Sequence, residues 1–105
     1  MDKQYEALFT PWKIGNVEIK NRIVMCPMGG TSLFGWFELG GCHFDKEAAK
    51  LFLERANNNV GLIIPGIAPL RDTFWGKWLW QNPKMFEDLK EFMEEIHKTG
   101  AKLFV

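Results

Sequence analysis

The chain has 105 residues, and its 13 basic and 13 acidic side chains give a formal net charge of zero. Hydrophobic residues make up 47% and charged residues 25%, a composition that is typical of globular proteins and excludes extended disorder. The balanced charge argues against a nucleic-acid-binding surface or one that binds anionic membranes.

The first 27 residues predict a hairpin followed by a buried strand. Apolar and polar residues alternate over 12–14 and 17–19 around Gly15-Asn16, a pair that favours a two-residue hairpin turn. Residues 22–26 then form a nearly continuous apolar run that ends at Pro27, as expected for a strand buried on both faces in a parallel sheet.

A helix and a second buried strand are predicted next. Glycines recur between 28 and 44, which indicates a loop. From Asp45, which is a suitable N-cap, to about Asn58 the apolar residues have helical spacing and predict a helix. Residues 61–64 form another apolar run, which a proline again terminates.

The second helix has the clearest signals. After a predicted loop over 66–82, Asn82 is suited to cap the helix and Pro83 to occupy its first position. One apolar stripe follows, made of Met85, Phe86, Leu89, Phe92, Met93 and Ile96. Residues 101–105 then read as a third buried strand.

The order hairpin, β, α, β, α, β predicts a parallel sheet with right-handed crossovers. A doubly wound sheet and part of a (β/α)8 barrel both fit this order, and a complete three-stranded α/β mini-domain is the simpler alternative. A barrel needs about 250 residues, so the chain would supply less than half of one. The connection after the first strand lacks G-x-G-x-x-G, which weakens the doubly wound alternative.

Large aromatic side chains cluster in the two predicted loops. They are Phe34, Trp36, Phe37, Phe74, Trp75, Trp78 and Trp80. Both loops follow the carboxyl ends of parallel strands, where α/β proteins bind ligands. Two interpretations stay open: a planar apolar ligand, or burial against further chain or a second subunit. Met28 and Gly29 are the positions best placed to touch such a ligand.

Neither a metal site nor a catalytic residue is predicted. The cysteines Cys26 and Cys42 form no C-x-x-C pair, and His43 has no further ligands at metal spacing. The amino terminus has no apolar secretory segment, and no apolar stretch approaches the roughly 20 residues of a membrane helix. We therefore expect a cytoplasmic protein without a membrane span.

Several sequence blocks occur in a distinctive order. They are residues 8–11, 14–16, 20–28, 54–56, 60–64 and 100–105, and the most specific is Asn21-Arg22-Ile23-Val24-Met25-x-Pro27-Met28. In order and spacing these blocks resemble the opening of the Old Yellow Enzyme family of NADH:flavin oxidoreductases. The similarity covers nearly the whole chain and looks closest to the branch that contains 2-enoate reductases and 2,4-dienoyl-CoA reductases.

This resemblance implies a (β/α)8 TIM barrel that an amino-terminal hairpin closes at its base, with FMN at the carboxyl ends of the strands. Residues 1–105 would then be the amino-terminal portion of a single FMN-binding barrel domain: the hairpin plus the first βαβαβ units, incomplete. The implied flavin neighbours are Cys26, Pro27, Met28, Gly29 and either Gly66 or Ile67. Many relatives carry Thr or Cys where this chain has Gly29, which leaves only a backbone contact there, unless Thr31 takes that role.

The implied function is that of an ene-reductase. NAD(P)H would reduce FMN, and hydride would pass to the activated C=C bond of a small enoate or enone. The isolated segment is expected to be inactive, because the catalytic groups of the family lie beyond Val105. An iron–sulfur cluster (4Fe-4S) or FAD would belong to the missing carboxyl-terminal part, and a homo-oligomer is compatible with the resemblance.

Two alternatives to the ene-reductase remain. One is a small non-enzymatic α/β module that uses the aromatic loops to bind a ligand or partner. The other is a phosphate-binding barrel without flavin.

Overall fold

The computed structural model of the chain describes residues 2–27, 46–65 and 83–104. Its elements are a 3₁₀ helix (Lys3–Phe9), β1 (Trp12–Ile14), β2 (Val17–Ile19), β3 (Val24–Met25), α1 (Lys46–Asn57), β4 (Leu62–Ile63), α2 (Pro83–Lys98) and β5 (Lys102–Leu103). The predicted order of hairpin, strands and helices is therefore confirmed. The two predicted loops and the proposed helix caps Asp45 and Asn82 lie outside the described residues.

The strands form two separate sheets. β1 and β2 pair antiparallel across the turn at Gly15, whose φ of +58° is the left-handed conformation that the predicted hairpin turn requires. The other sheet is parallel and has the order β3-β4-β5, with Val24 opposite Leu62 and Leu62 opposite Lys102. This is the βαβαβ arrangement that the sequence predicts.

The three parallel strands are shorter than predicted, and β3 is less buried. Each has two residues, whereas the apolar runs span four or five. Val24 and Met25 are only half-buried, but Leu62 and Ile63 are buried. The difference follows from the strand order, because β4 has a neighbour on both sides and β3 has a single paired neighbour among the described strands.

The core lies between the parallel sheet and the two helices. Its buried residues are Ala49, Phe52, Ala56, Ile63, Leu89, Phe92, Ile96 and Ala101. Met25 and Leu103, the register partners of Ile63, pack against this cluster. Because side chains alternate along a strand, Val24, Leu62 and Lys102 lie on the opposite face of the sheet.

One residue of the predicted α2 stripe is not part of the core. Leu89, Phe92 and Ile96 are buried, but Phe86 is 50% exposed. The flank of α2 that faces α1 carries Glu91 and Glu95. Phe86 projects roughly 140–180° around the helix from those two positions, so it faces away from α1. The side chain of Met85 lies outside the described part.

Both helices end in left-handed residues. After α1, Asn59 has a φ of +76°, and the amide of Val60 donates to the carbonyl of Arg55, as in a Schellman motif. After α2, Gly100 has a φ of +84°, and its amide donates to the carbonyl of His97. These two turns bring the chain into β4 and β5 from the same end of the sheet.

Candidate functional site

The carboxyl edge of the parallel sheet is the region where the sequence predicts a ligand. The backbone ladder reaches this edge through two bonds: the amide of Ile64 donates to Met25 O at 2.9 Å, and that of Phe104 donates to Ile63 O at 3.0 Å. The three strands are therefore aligned up to the point where the ladder stops.

Prolines stand where two of the strands leave the ladder. Pro27 is exposed, whereas Pro65 is less than 2% exposed. Proline has no N–H group and a fixed φ, so neither residue can donate a further ladder bond. These two prolines are also the last described residues before the segments 28–45 and 66–82.

The side chains on the face opposite the helices are apolar at this edge. Alternation along the strands places Cys26, Ile64 and Phe104 there, and Cys26 is an exposed free thiol. Together with the prolines they present no charged group. This apolar surface fits the flat face of a flavin ring, but in the described part of the edge nothing would hold the phosphate of the cofactor.

The structure locates two of the six predicted cofactor-binding residues. Cys26 and Pro27 lie side by side at the end of β3. Met28, Gly29, Gly66 and Ile67 lie outside the described residues, as do the two aromatic clusters. Their assignment as flavin neighbours stays a prediction.

The described ranges contain no metal site and no membrane-spanning helix. In residues 2–27, 46–65 and 83–104 no group of three or more His, Cys, Asp or Glu side chains is arranged to hold a metal ion. No helix in these ranges is long and apolar enough to cross a membrane. His97 is exposed in the last turn of α2, where the sequence places it.

The opposite, amino end of the sheet contains a buried polar residue that sequence reasoning missed. Asn21 is 4% exposed, and its Nδ2 donates to Asn59 O at 2.6 Å while its Oδ1 accepts from the amide of Ile23 at 3.0 Å. Its backbone carbonyl accepts from Trp12 Nε1. Asn21 thus joins the hairpin, β3 and the turn after α1.

The neighbours of Asn21 make further connections at this end. Lys20 Nζ donates to Thr99 O at 2.7 Å, just after α2, and Arg22 Nε donates to Thr10 Oγ1 at 3.0 Å. The sequence signal that could have indicated these contacts is the run of three polar residues, 20–22, between an amphipathic hairpin and an apolar strand. The residues Asn21–Pro27 therefore run from the polar contacts at one end of the sheet to the candidate site at the other.

The comparisons with known proteins agree with this arrangement. Residues 7–105 match the family model of the NADH:flavin oxidoreductase / NADH oxidase family. Among solved structures, Old Yellow Enzyme from Pichia sp. AKU4542 is similar with a TM-score of 0.65 and 28% identity, over 92% of this chain and 25% of that one.

Three curated proteins are similar in sequence. The chain is 35% identical to cinnamate reductase of Clostridium sporogenes over 100% of its own length and 16% of that protein. It is 32% identical to NADPH dehydrogenase of Bacillus velezensis, covering 91% of the chain and 28% of the relative. For bilirubin reductase of Clostridium symbiosum the identity is 31%, with 93% of the chain and 23% of the relative covered.

The chain thus spans between 16% and 28% of the length of these curated relatives. The family match extends over both elements that define the two ends of the sheet, the polar residues 20–22 and the edge residues 26–27. The chain belongs to the NADH:flavin oxidoreductase / NADH oxidase family.

Proposed function

We propose that the intact protein is an FMN-dependent ene-reductase and that residues 1–105 form the amino-terminal part of its single flavin-binding barrel domain. The observation that carries the proposal is the apolar carboxyl edge formed by Cys26, Ile64 and Phe104, in a chain that belongs to a flavin oxidoreductase family. Parallel α/β proteins bind their ligands at this edge.

The proposed substrate is a small enoate or enone. The similarity to a cinnamate reductase supports an activated C=C bond as the acceptor, and the relative named NADPH dehydrogenase supports a nicotinamide as the reductant. The relative named bilirubin reductase supports a reduction. The proposed subgroup is the branch that contains 2-enoate and 2,4-dienoyl-CoA reductases; the similarity to a cinnamate reductase supports it, since cinnamate is a 2-enoate.

The chemistry that bound FMN would supply is hydride transfer from NAD(P)H to the β-carbon of the alkene, and a proton from an acid or water would complete the reduction at the α-carbon. This chain would supply one wall of the pocket. Pro27 fixes the backbone direction after β3, and the apolar side chains at positions 26, 64 and 104 would exclude water from one side of the ring. Met28, Gly29, and Gly66 or Ile67 are proposed to complete this wall.

The proposal requires that the intact protein binds FMN and that residues 1–105 alone do not. We expect the purified intact protein to be yellow, with one FMN per chain, to lose its visible band on anaerobic addition of NADH or NADPH, and to regain it with cinnamate or another enoate. FMN release and absorbance measure these steps. A colourless intact protein, or tight stoichiometric flavin binding by residues 1–105 alone, would contradict the proposal.

The position of the flavin can be tested at Cys26, which is an exposed free thiol in this structure. We expect iodoacetamide to alkylate Cys26 in the apoprotein and to react much more slowly after FMN is added, because the bound ring covers the edge. Peptide mass spectrometry reads out the site. Cys42 is a second thiol of the same chain for comparison, and equal alkylation of Cys26 with and without FMN would place the flavin elsewhere.

A further inference from the structure

The amino end of the sheet carries a side-chain connection that continues the strand register. Asn21 and the carbonyl that it binds, Asn59, are 38 residues apart, the same separation as the paired Val24 and Leu62. Between these two pairs, the carbonyl of Ile23 accepts from the amide of Gly61 at 3.0 Å. The Asn21 side chain therefore acts as an extra rung of the β3–β4 ladder, beyond the last backbone bond.

Gly61 leaves the room that this rung occupies. A Cβ atom at Gly61 would lie 3.0 Å from Asn21 Cγ and 3.2 Å from Asn21 N, and it would be closer still to Asn21 Oδ1. The φ of Gly61 is not in the left-handed region, so an alanine there would be disfavoured by this contact and not by its own backbone conformation. The two residues are complementary in shape, and both are buried.

The register of β3 against β4 decides which residues meet at the carboxyl edge. A slip of one residue would turn every side chain of β3 to the other face, so Cys26 would leave the face that it shares with Ile64. Because β3 and β4 pair over only two residues, the backbone ladder alone gives this register little support. The packing of Met25 on the core supports the register from one face, and the Asn21 contacts add support at the amino end.

We propose that Asn21 is a positioning residue that, seated against Gly61, fixes the register of β3 on β4 and through it the alignment of the edge residues 26–27 and 64–65. It touches neither cofactor nor substrate. Its connection to the flavin rests on the proposed function, but the contact with Gly61 does not.

The contact is tested by a double-mutant cycle in the intact protein, with urea unfolding as the measurement. We expect Gly61→Ala to lower the folding equilibrium constant about tenfold more in the wild-type background than in the Asn21→Ala background, where the contacts with Asn21 Oδ1 and Cγ are gone and only the 3.2 Å contact with the backbone N remains. The same comparison is made in an Asn21→Ser background, which shortens the side chain but keeps an acceptor, because the serine hydroxyl can still accept from the amide of Ile23. Equal losses in all backgrounds would overturn the proposal.

The positioning role is tested by FMN affinity, measured on folded protein by fluorescence titration together with the visible spectrum of the bound flavin. We expect Asn21→Ala to weaken FMN binding about tenfold and to shift the visible band, since the edge is misaligned. A lower stability with wild-type affinity and spectrum would show a purely structural role and overturn the proposal.

Asn58→Ala is the matched control. Asn58 also donates from Nδ2 to a backbone carbonyl, that of Glu54 at 2.8 Å, but this bond is local and exposed. We expect wild-type FMN affinity and spectrum for this variant, and an equal effect of both substitutions would count against Asn21. If the wild-type protein bound no FMN, the proposed function would fail. The double-mutant cycle would still show whether Asn21 and Gly61 interact, because it measures unfolding and needs no flavin.

Discussion

Single side chains attach the hairpin to the rest of the molecule. Lys20 is the clearest case, because its Nζ reaches Thr99 O, 79 residues away, at 2.7 Å. A cation at this position also interacts favourably with the negative end of the α2 dipole. The segment between β2 and β3 is thereby connected to the turn that precedes β5.

The contribution of Lys20 can be measured by urea unfolding of the intact protein. We expect Lys20→Met to lower the free energy of unfolding by about 1.5 kcal/mol, because the Thr99 carbonyl loses a charged donor in a partly buried place. Lys13→Met is the control, since Lys13 is exposed in β1, and it should change stability by less than about 0.5 kcal/mol. Equal effects would argue against the Lys20 bond.

The helices and strands form where local signals and packing agree. Pro83 at the start of α2 and Gly15 in the hairpin turn allowed these elements to be predicted from the sequence. The 3₁₀ helix was not predicted, because its seven residues bury no side chain and so leave no periodic pattern. Its detectable signals were Asp2, which accepts from the amide of Gln4, and Pro11 beyond its end.

The packing of α1 depends on Phe52, which is 1% exposed in the centre of the core. We expect Phe52→Ala to lower the free energy of unfolding by about 3–5 kcal/mol, because it leaves a cavity between helix and sheet. Phe52→Leu nearly conserves the volume and should cost less than about 1.5 kcal/mol. Thermal or urea unfolding gives both values, and a small loss for alanine would contradict this description of the core.

The candidate site was only partly predictable. Cys26 and Pro27 could be placed at the edge because a strand must end at a proline, and the parallel order then defines the side on which ligands bind. Asn21 could not be found in this way, since its partners Asn59 and Gly61 are distant in sequence and only the folded chain brings them together. Phe86 fits the helical period but faces away from α1.

At the scale of the whole molecule, exposed apolar side chains are concentrated at the amino-terminal elements. In the part of the chain that the structure describes they are Tyr5, Leu8, Phe9, Ile14 and Val17, together with Phe86 on α2. Five of these six side chains lie within residues 5–17, and an apolar surface of this kind is suited to contact with further protein. On the proposed barrel, the rest of the domain would supply that contact.

This proposal predicts different behaviour of the segment and the intact protein. Expressed alone, residues 1–105 should bind the dye ANS strongly and unfold without a sharp transition, because their apolar surface lacks its cover. The intact protein should bind little ANS and melt cooperatively. Dye fluorescence and thermal scans measure this, and a cooperative transition with weak dye binding for residues 1–105 would refute the barrel proposal.

The two prolines at the carboxyl edge have a consequence for sequence variation. Pro27 and Pro65 have the same separation as the register partners Val24 and Leu62, so both strands leave the sheet at the same height. Among the described residues, the bonds between β3 and β4 all precede these prolines, so insertions or exchanges in segments 28–45 and 66–82 should leave those bonds intact. We expect ligand preference in this family to diverge through these two segments while the sheet beneath them stays the same.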